Sequence, residues 1–211
     1  ASDYGIEAGE AGFSLSAIKQ KMLANTEILN KGLAGTIKRA KIDVLEGTAS
    51  FIDKKTVAVG EEQIAADFII IAAGSTSSDL PEIKPDGKKI LTSKELLLNE
   101  KLPEKLLIIG GGVIGCEFAT FYSRLGSSVT IVEPMAELMP NEDEETGKAI
   151  KREFKKAGII SDTSSLVKSL EHKDDRVKAV ISGKKVREDE FDLVLLAVGR
   201  KANLEGLNLD K

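Results

Sequence analysis

The segment from Lys105 to Glu133, KLLIIGGGVIGCEFATFYSRLGSSVTIVE, constrains the fold of this chain more than any other stretch. It starts with an apolar run, passes through a glycine-rich turn, continues at helical spacing and ends in a second apolar run. This order predicts a strand at 105–110, a helix at 112–126 and a strand at 128–133. Because parallel strands are usually joined by a crossover helix, the segment predicts a βαβ unit of a parallel sheet.

The residues after this unit predict a second helix and then a β-meander. PNEDEETGKAIKREFKKAG has acids in its first turn and Lys and Arg in its last, as the helix dipole favours. The pieces SSLVKSLEH, RVKAVIS and KKVRE alternate polar and apolar residues, and an apolar strand at 193–198 follows them. The predicted fold class is therefore α/β, with a Rossmann-like unit and a meander.

The residues before the unit predict a different arrangement. Ile18, Met22 and Leu29 fall near helical spacing, which predicts an amphipathic helix from Ser14 to about Leu33. The pieces KIDVLEG, ASFID and KTVAVG predict a first meander that ends in an apolar strand at 68–73. The turn-rich segment 75–89 then predicts a crossing between two domains.

An internal repeat relates the two halves. ADFIIIAAGS (66–75) and FDLVLLAVGR (191–200) share an aspartate, an apolar run, an alanine and a glycine, and each closes a predicted meander. Only the second has a strand, glycine turn and helix before its meander. We therefore expect two related modules and a sequence that belongs to a longer protein, starting inside its first module.

Composition excludes some classes of partner. Lys and Arg number 30 against 34 Asp and Glu, a net charge of −4, which argues against a nucleic-acid groove. No apolar run approaches the roughly 20 residues of a membrane span, so we expect no membrane partner. The single cysteine suits a reducing compartment, either a bacterial cytoplasm or a mitochondrial matrix.

The glycine turn carries the strongest functional signal. Gly110, Gly112 and Gly115 form G-x-G-x-x-G between a predicted strand and helix, and Glu133 ends the next strand. In such a turn the first glycine makes the bend, the second lets a pyrophosphate approach and the third allows close packing of the helix. The acid can accept hydrogen bonds from a ribose and repels a 2′-phosphate, so the pattern predicts NAD rather than NADP.

Three further residues need an interpretation. Cys116 has no second cysteine to form a redox pair, so we interpret it as a small core residue. Glu117 lies in the first helical turn, where it either favours the dipole or has a binding role. His172 lies in the charged run EHKDDR and is predicted to be a surface residue. No metal-binding spacing is present.

Taken together, these motifs resemble the flavin-dependent pyridine nucleotide-disulfide oxidoreductases, and within that family the dihydrolipoamide dehydrogenases. The resemblance rests on IIGGGVIGCEFATFYSRLGSSVTIVE, IIIAAGS, LLAVGRKANLEGLNLD and KGLAG followed by EGTASF, and it covers nearly the whole chain. It implies that 1–83 belong to an FAD-binding domain, 84–198 form an NAD-binding domain, and 199–211 begin the return to the FAD domain.

The same resemblance implies which residues bind each cofactor, with Glu117 near the nicotinamide ribose. The residues implied for NAD are Gly110, Gly111, Gly112, Val113, Ile114, Gly115, Glu117, Glu133, Val167 and Gly199. The residues implied for FAD are Ala49, Ala73, Gly74 and Ser75.

The family's flavin-binding glycine turn, its C-x-x-x-x-C redox pair and its acid/base histidine are not found in these 211 residues. We therefore expect an NAD(H)-binding segment of a homodimeric dihydrolipoamide dehydrogenase. Its partner would be the lipoyl domain of a 2-oxo acid dehydrogenase or glycine-cleavage complex, and the segment alone would be inactive. The alternatives are another flavoprotein disulfide reductase, an NADH oxidase, or a stand-alone NAD-binding module without catalysis.

Overall fold

The computed structural model describes residues 12–211, so the first eleven residues of the predicted FAD-binding part lie outside the described residues. The first part of the described chain, residues 12–77, contains a long helix and short strands. They are α1 Leu15–Arg39, β1 Ala49–Asp53, β2 Thr56–Val59, β3 Glu62–Ala65 and β4 Ser75–Ser77. Strands β1, β2 and β3 form an antiparallel sheet in that order.

Helix α1 begins at a capped end. The hydroxyl of Ser14 accepts a hydrogen bond from the Ala17 N–H at 3.2 Å, and Lys38 and Arg39 occupy the last turn. Both features stabilise a helix through its free backbone groups and its dipole. The helix extends to Arg39 and is longer than the predicted span of 14–33.

Two predicted strands of the first part are wrong. Residues 41–47 and 68–73 do not form strands, and the third strand of the sheet is β3 instead. A strand needs neighbours that satisfy its backbone N–H and C=O groups, and residues 68–73 pair with no other strand among residues 12–211. Phe68 and Ile70 are accordingly 94% and 91% exposed.

The second part, residues 78–199, is built on a parallel sheet. Its elements, with the strand that follows it, are β5 Ile90–Thr92, α2 Ser93–Leu97, β6 Lys105–Ile109, α3 Val113–Arg124, β7 Ser128–Glu133, α4 Glu144–Lys156, β8 Ile160–Thr163, β9 Leu166–Lys173, β10 Arg176–Ser182, β11 Val186–Phe191, β12 Leu193–Leu196 and β13 Arg200–Ala202. Five strands pair in the order β5, β12, β6, β7, β8, and every pair is parallel. The predicted α/β class is thus confirmed.

The parallel sheet is covered on both faces. Successive residues of β6 alternate between the faces: Leu106 and Ile108 pack with helices α2, α3 and α4, whereas Leu107 and Ile109 pack with the antiparallel sheet of β9, β10 and β11. All four side chains are at most 5% exposed. This burial explains why β6 is almost entirely apolar, because a strand covered on both faces has no solvent side.

The chain crosses between the two parts in two strands that lie side by side. β4 and β13 pair antiparallel, with Ser75 opposite Ala202. The Arg200 guanidinium donates to the Ser75 hydroxyl at 2.8 Å and to the Ser75 carbonyl at 2.6 Å. Beyond this pair, the Phe51 N–H donates to the Leu207 carbonyl at 2.9 Å, so the last residues rejoin the first part.

Candidate functional site

A cleft of about 350 Å³ opens at the carboxyl ends of β6, β7 and β12. In parallel α/β sheets this edge is where ligands bind. The structure brings five of the residues predicted from the sequence into this cleft: Gly110, Gly112, Glu133, Val167 and Gly199. They come from four separate segments of the chain, so the fold and not the motif alone assembles the site.

Other residues of the cleft were missed by the sequence analysis. They are Leu80, Ile109, Val132, Pro134, Pro140, Asn141, Ser165, Leu166, Ala197 and Val198. Several of them lie in the loop after β7 or at the end of β12. A loop at the carboxyl end of a parallel strand was the signal that could have identified them.

Two glycines of the turn, Gly110 and Gly115, have no space for a side chain. Gly110 has φ +108°, and a Cβ there would lie 2.3 Å from the carbonyl oxygen of Ala197 at the end of β12. A Cβ on Gly115 would lie 2.0 Å from the carbonyl oxygen of Gly110. Helix α3 therefore approaches the turn closely because residue 115 has no side chain.

The N-terminus of α3 points its free backbone groups toward this turn. The residue that precedes the helix is Gly112, which offers no side-chain cap, and the Cys116 N–H donates to its carbonyl at 3.0 Å. The N–H groups before Cys116 precede the first intrahelical bond, and the helix dipole gives this end a partial positive charge. Such an end is a ready site for a phosphate or another anion.

Glu133 is a buried carboxylate with two backbone partners. The residue is 5% exposed, although it lines the cleft. Its Oε2 accepts the Gly111 N–H at 2.6 Å, and its Oε1 accepts the Met135 N–H at 2.9 Å. Both bonds give the oxygens of this buried side chain the hydrogen-bond partners that buried polar groups require.

Cys116 is buried beneath the same turn, as expected for a core residue. Its thiol donates to the Gly111 carbonyl at 3.3 Å. Burial raises the pKa of the Cys116 thiol to about 11, and the negative charges of Glu133 and Glu117 add to this effect. The residue is therefore a protonated thiol at neutral pH, which is a poor nucleophile.

Glu117 does not line the cleft that contains Gly110 and Glu133. The prediction that it lies in the first helical turn is wrong, because α3 begins at Val113 and has no acidic residue in its first turn. Glu117 is exposed one turn further on, beside a separate apolar groove between α1, α2 and α3. Lys19 of α1 lines that groove, and its Nζ lies 2.7 Å from Oε1 of Glu100. This ion pair joins α1 to the second part of the chain. Of the other residues predicted to bind NAD, Val113 is exposed, Ile114 is half-buried and Gly111 is buried.

The residues predicted to bind FAD lie in the first part of the chain. Ala49 starts β1 and is half-buried, whereas residues 73–75 are exposed. The Asn203 N–H donates to the Gly74 carbonyl at 3.0 Å, and the Asn203 amide donates to the Ala73 carbonyl at 3.4 Å.

Residues 12–211 include the single histidine of the sequence, His172. His172 is exposed and its Nε2 lies 2.9 Å from the Asp86 carboxylate, which matches the prediction of a surface histidine. No cluster of three or more His, Cys, Asp or Glu side chains within this range could hold a metal ion. None of the helices described has the length and apolar character that crossing a membrane requires.

A parallel sheet with a glycine turn, a free helix N-terminus and an acid at the end of the next strand defines a dinucleotide-binding α/β protein. Residues 4–211 match the sequence model of the family described as pyridine nucleotide-disulphide oxidoreductase. The chain belongs to this family, which confirms the resemblance predicted from the sequence.

Individual relatives agree with this assignment. The chain is 36% identical to the dihydrolipoyl dehydrogenase of Bacillus subtilis and 37% identical to the dihydrolipoamide dehydrogenase of Chaetomium thermophilum. These alignments cover 100% and 98% of this chain but 47% and 43% of the relatives. The chain thus spans about half the length of the curated relatives it matches.

Solved structures have the same fold. The flavoprotein disulfide reductase RclA from Escherichia coli superposes with a TM-score of 0.77 at 28% identity, over 93% of this chain and 45% of that protein. LpdA from Mycobacterium tuberculosis superposes with a TM-score of 0.84 over 96% of this chain and 46% of that protein. At 24% identity, the second likeness concerns the fold alone.

Proposed function

We propose that this chain is the NAD(H)-binding segment of a flavin-dependent dihydrolipoamide dehydrogenase. One observation carries the proposal: the glycine turn, the free N-terminus of α3 and the buried carboxylate of Glu133 converge on a single cleft. The relatives named dihydrolipoyl dehydrogenase support the choice within the family.

In this proposal the N-terminus of α3 holds the pyrophosphate of NAD through the N–H groups of residues 112–114. Glu133 accepts hydrogen bonds from the adenosine ribose, because each carboxylate oxygen keeps a lone pair beyond its backbone bond. Val167 and Gly199 form walls of the cleft. When bound, NAD⁺ would supply the hydride acceptor of the reaction.

The charge of Glu133 sets the expected preference between nucleotides. A 2′-phosphate on the ribose would bring negative charge against a buried carboxylate, and this repulsion is costly in an environment with little water. We therefore expect NADPH to bind less tightly than NADH.

The domain boundaries are part of the proposal. Residues 1–83 would belong to the FAD-binding domain, 84–198 would form the NAD-binding domain, and 199–211 would begin the return. The pairing of β4 with β13 supports two crossings at one place. Ala49 and residues 73–75 would contact FAD, and Glu117 would lie near the nicotinamide ribose in the assembled enzyme.

The whole enzyme would convert dihydrolipoamide and NAD⁺ to lipoamide and NADH through FAD and a redox disulfide. The redox cysteine pair and the acid/base histidine of that reaction are not among these 211 residues, and Cys116 is a single buried thiol. By itself this segment would therefore bind NAD(H) without catalysing the reaction. We propose that the parent is a homodimer in a reducing compartment, the bacterial cytoplasm, and serves the lipoyl domain of a 2-oxo acid dehydrogenase or glycine-cleavage complex.

The second candidate is another flavoprotein disulfide reductase. It is favoured by the likeness to RclA, which is described by that name and shares the fold and 28% of its sequence over the matched region. The cleft for NAD would be the same in both cases, so the two candidates differ in the substrate that reduces or is reduced by the disulfide.

Calorimetric titration of the 211-residue chain with NADH, NADPH and FAD tests the proposal. We expect micromolar or weaker binding of NADH, because an open cleft lacks the enclosing domains that restrict a ligand. NADPH should bind more weakly. A cooperatively folded chain that binds no NADH would contradict the proposal, and equal affinities for the two nucleotides would contradict the role of Glu133.

A further inference from the structure

Glu133 connects two segments of the cleft that are separate in sequence. One of its carboxylate oxygens accepts the N–H of Gly111, within the glycine turn between β6 and α3. The other accepts the N–H of Met135, in the loop that follows β7. A residue that served only the ribose would not need both bonds, so its side chain also acts inside the protein.

Gly111 is fixed through both of the peptide groups that it joins, the one to Gly110 by its N–H and the one to Gly112 by its carbonyl. Its N–H donates to Glu133, and its carbonyl accepts the Met139 N–H at 2.8 Å and the Cys116 thiol at 3.3 Å. The space around it is filled as well, since a Cβ on Gly111 would lie 2.6 Å from Leu138 Cδ2. The loop 134–139 therefore determines the orientation of the peptide that leads directly into Gly112 and the N-terminus of α3.

The strand end that carries Glu133 does not depend on this carboxylate. The Glu133 carbonyl accepts the Ser165 N–H at 3.0 Å, and the Gly110 N–H donates to the Val132 carbonyl at 2.9 Å. Removing the side chain leaves these bonds in place but leaves the N–H groups of Gly111 and Met135 without their acceptor. A buried donor without a partner is costly, so the turn would move to find another one.

We propose that Glu133 is a positioning residue for the pyrophosphate-binding turn, in addition to its role as ribose acceptor. This inference rests on the proposed function, because it assumes that the turn binds a pyrophosphate. It has a practical consequence for cofactor specificity. Replacing Glu133 with a cation to attract a 2′-phosphate would also release the Gly111 N–H and the Gly110–Gly111 peptide that contains it, so binding of NADH and NADPH would both weaken.

Amide hydrogen exchange, measured by NMR on the full 211-residue chain, tests the positioning without any nucleotide. We compare the wild type with Glu133→Gln and Glu133→Ala. The amides of Gly111 and Met135 should exchange at least about tenfold faster in Glu133→Ala, because each loses a bond to a charged acceptor. The side-chain amide of Glu133→Gln keeps only one oxygen acceptor, so the N–H of Gly111 or of Met135 should lose its bond and exchange faster. This variant therefore gives a result even if the alanine variant does not fold.

The Ser165 amide and a matched variant are the controls. Ser165 bonds to the Glu133 backbone, so its exchange should not change when only the side chain is altered. Glu61→Gln makes the same chemical change at an exposed position before β3 and should leave Gly111 unaffected. If the amides of Gly111 and Met135 exchanged at the wild-type rate in both Glu133→Gln and Glu133→Ala, the proposal would be overturned.

A pair of nucleotides separates positioning from ribose binding. ADP carries the ribose hydroxyls and 2′,3′-dideoxy-ADP lacks them, and both can be titrated in competition with NADH fluorescence. A residue that acts only on the hydroxyls cannot affect dideoxy-ADP, whereas a positioning residue can. We expect Glu133→Gln to weaken dideoxy-ADP by about tenfold, the effect of one lost charged hydrogen bond.

The outcomes distinguish the two proposals. An unchanged affinity of Glu133→Gln for dideoxy-ADP would overturn the positioning role, even if the Gly111 amide exchanged faster. If neither nucleotide binds the wild-type chain, the proposed function fails, and the exchange rates alone decide whether Glu133 orients the turn.

Discussion

The two parts of the chain bury their apolar residues to very different degrees. In the second part, strands β6, β7 and β12 are covered on both faces, and most of their side chains are buried. In the first part, α1 has no buried residue and β3 is exposed along its whole length. The difference shows that an apolar pattern alone does not determine burial, since burial also requires neighbouring elements that cover the apolar face.

The internal repeat makes this comparison between two similar sequences. LVLL, in the second copy, forms β12 between β5 and β6. The corresponding residues of the first copy, within 68–73, form no strand, and Phe68 and Ile70 are exposed. Two segments with closely similar strand propensity thus form different structures, because only the second copy has strands on either side.

Hydrogen exchange should give the largest contrast between the two parts. The amides of Ile108 and Leu195 lie in the buried parallel sheet, so their exchange should require opening with a free energy of about 5 kcal/mol or more. The amides of Phe68 and Ile70 should exchange at nearly the rate of an unfolded chain. Strong protection at residues 68–71 in the monomeric chain would contradict the structure of the first part.

A pair of glycine substitutions should give the next largest effect. Gly115→Ala places a Cβ 2.0 Å from the Gly110 carbonyl oxygen, so we expect a loss of about 2–4 kcal/mol in the free energy of unfolding. Gly32→Ala lies in the exposed helix α1, where a Cβ meets nothing within 4 Å. It should stabilise the helix by up to about 1 kcal/mol.

Urea denaturation of both variants measures this difference. Because the substitutions are chemically the same, composition cannot explain effects of opposite sign. Equal effects would mean that the glycine turn is not packed against α3 as closely as the structure has it.

A smaller effect should depend on pH. The Asp86 Oδ1 accepts the N–H groups of Lys88, Lys89 and Ile90 at 2.7–3.0 Å, and its Oδ2 lies 2.9 Å from His172. Partial burial acts to raise the pKa of Asp86, but these donors and the nearby histidine outweigh it and lower the pKa below the ordinary value of 3.8.

Because the folded pKa is the lower one, the contribution of Asp86 is present above pH 3.8 and is lost as the pH falls through the folded value. Asp86→Asn should therefore lower the free energy of unfolding by about 1 kcal/mol at neutral pH and by progressively less below pH 3.8. Thermal unfolding across a pH series measures this change. Asp67→Asn, at an exposed position in the first part, is the matched control. A cost for Asp86→Asn that did not change with pH would show that its carboxylate charge is unimportant.

The sequence predicted the local parts of the site well. The bounds of β7 were correct, and β6 and α3 were correct to within two residues, because the glycine turn and the apolar periodicity act over short distances. Strands β5 and β8 were missed, since three- and four-residue strands carry too little pattern. The two backbone bonds of Glu133 were also beyond prediction, because they depend on how the loop 134–139 folds over the turn.

The side-by-side pairing of β4 and β13 has a consequence for the way this chain is assembled. Because the two strands pair, the chain leaves and re-enters the first part at nearly the same point in space. The ends of the segment 78–199 are therefore as close together as the ends of a short hairpin loop. The length of the segment adds little to the entropy cost of bringing these ends together. An insertion with adjoining ends can lengthen, shorten or exchange its interior while the host around it keeps its own geometry.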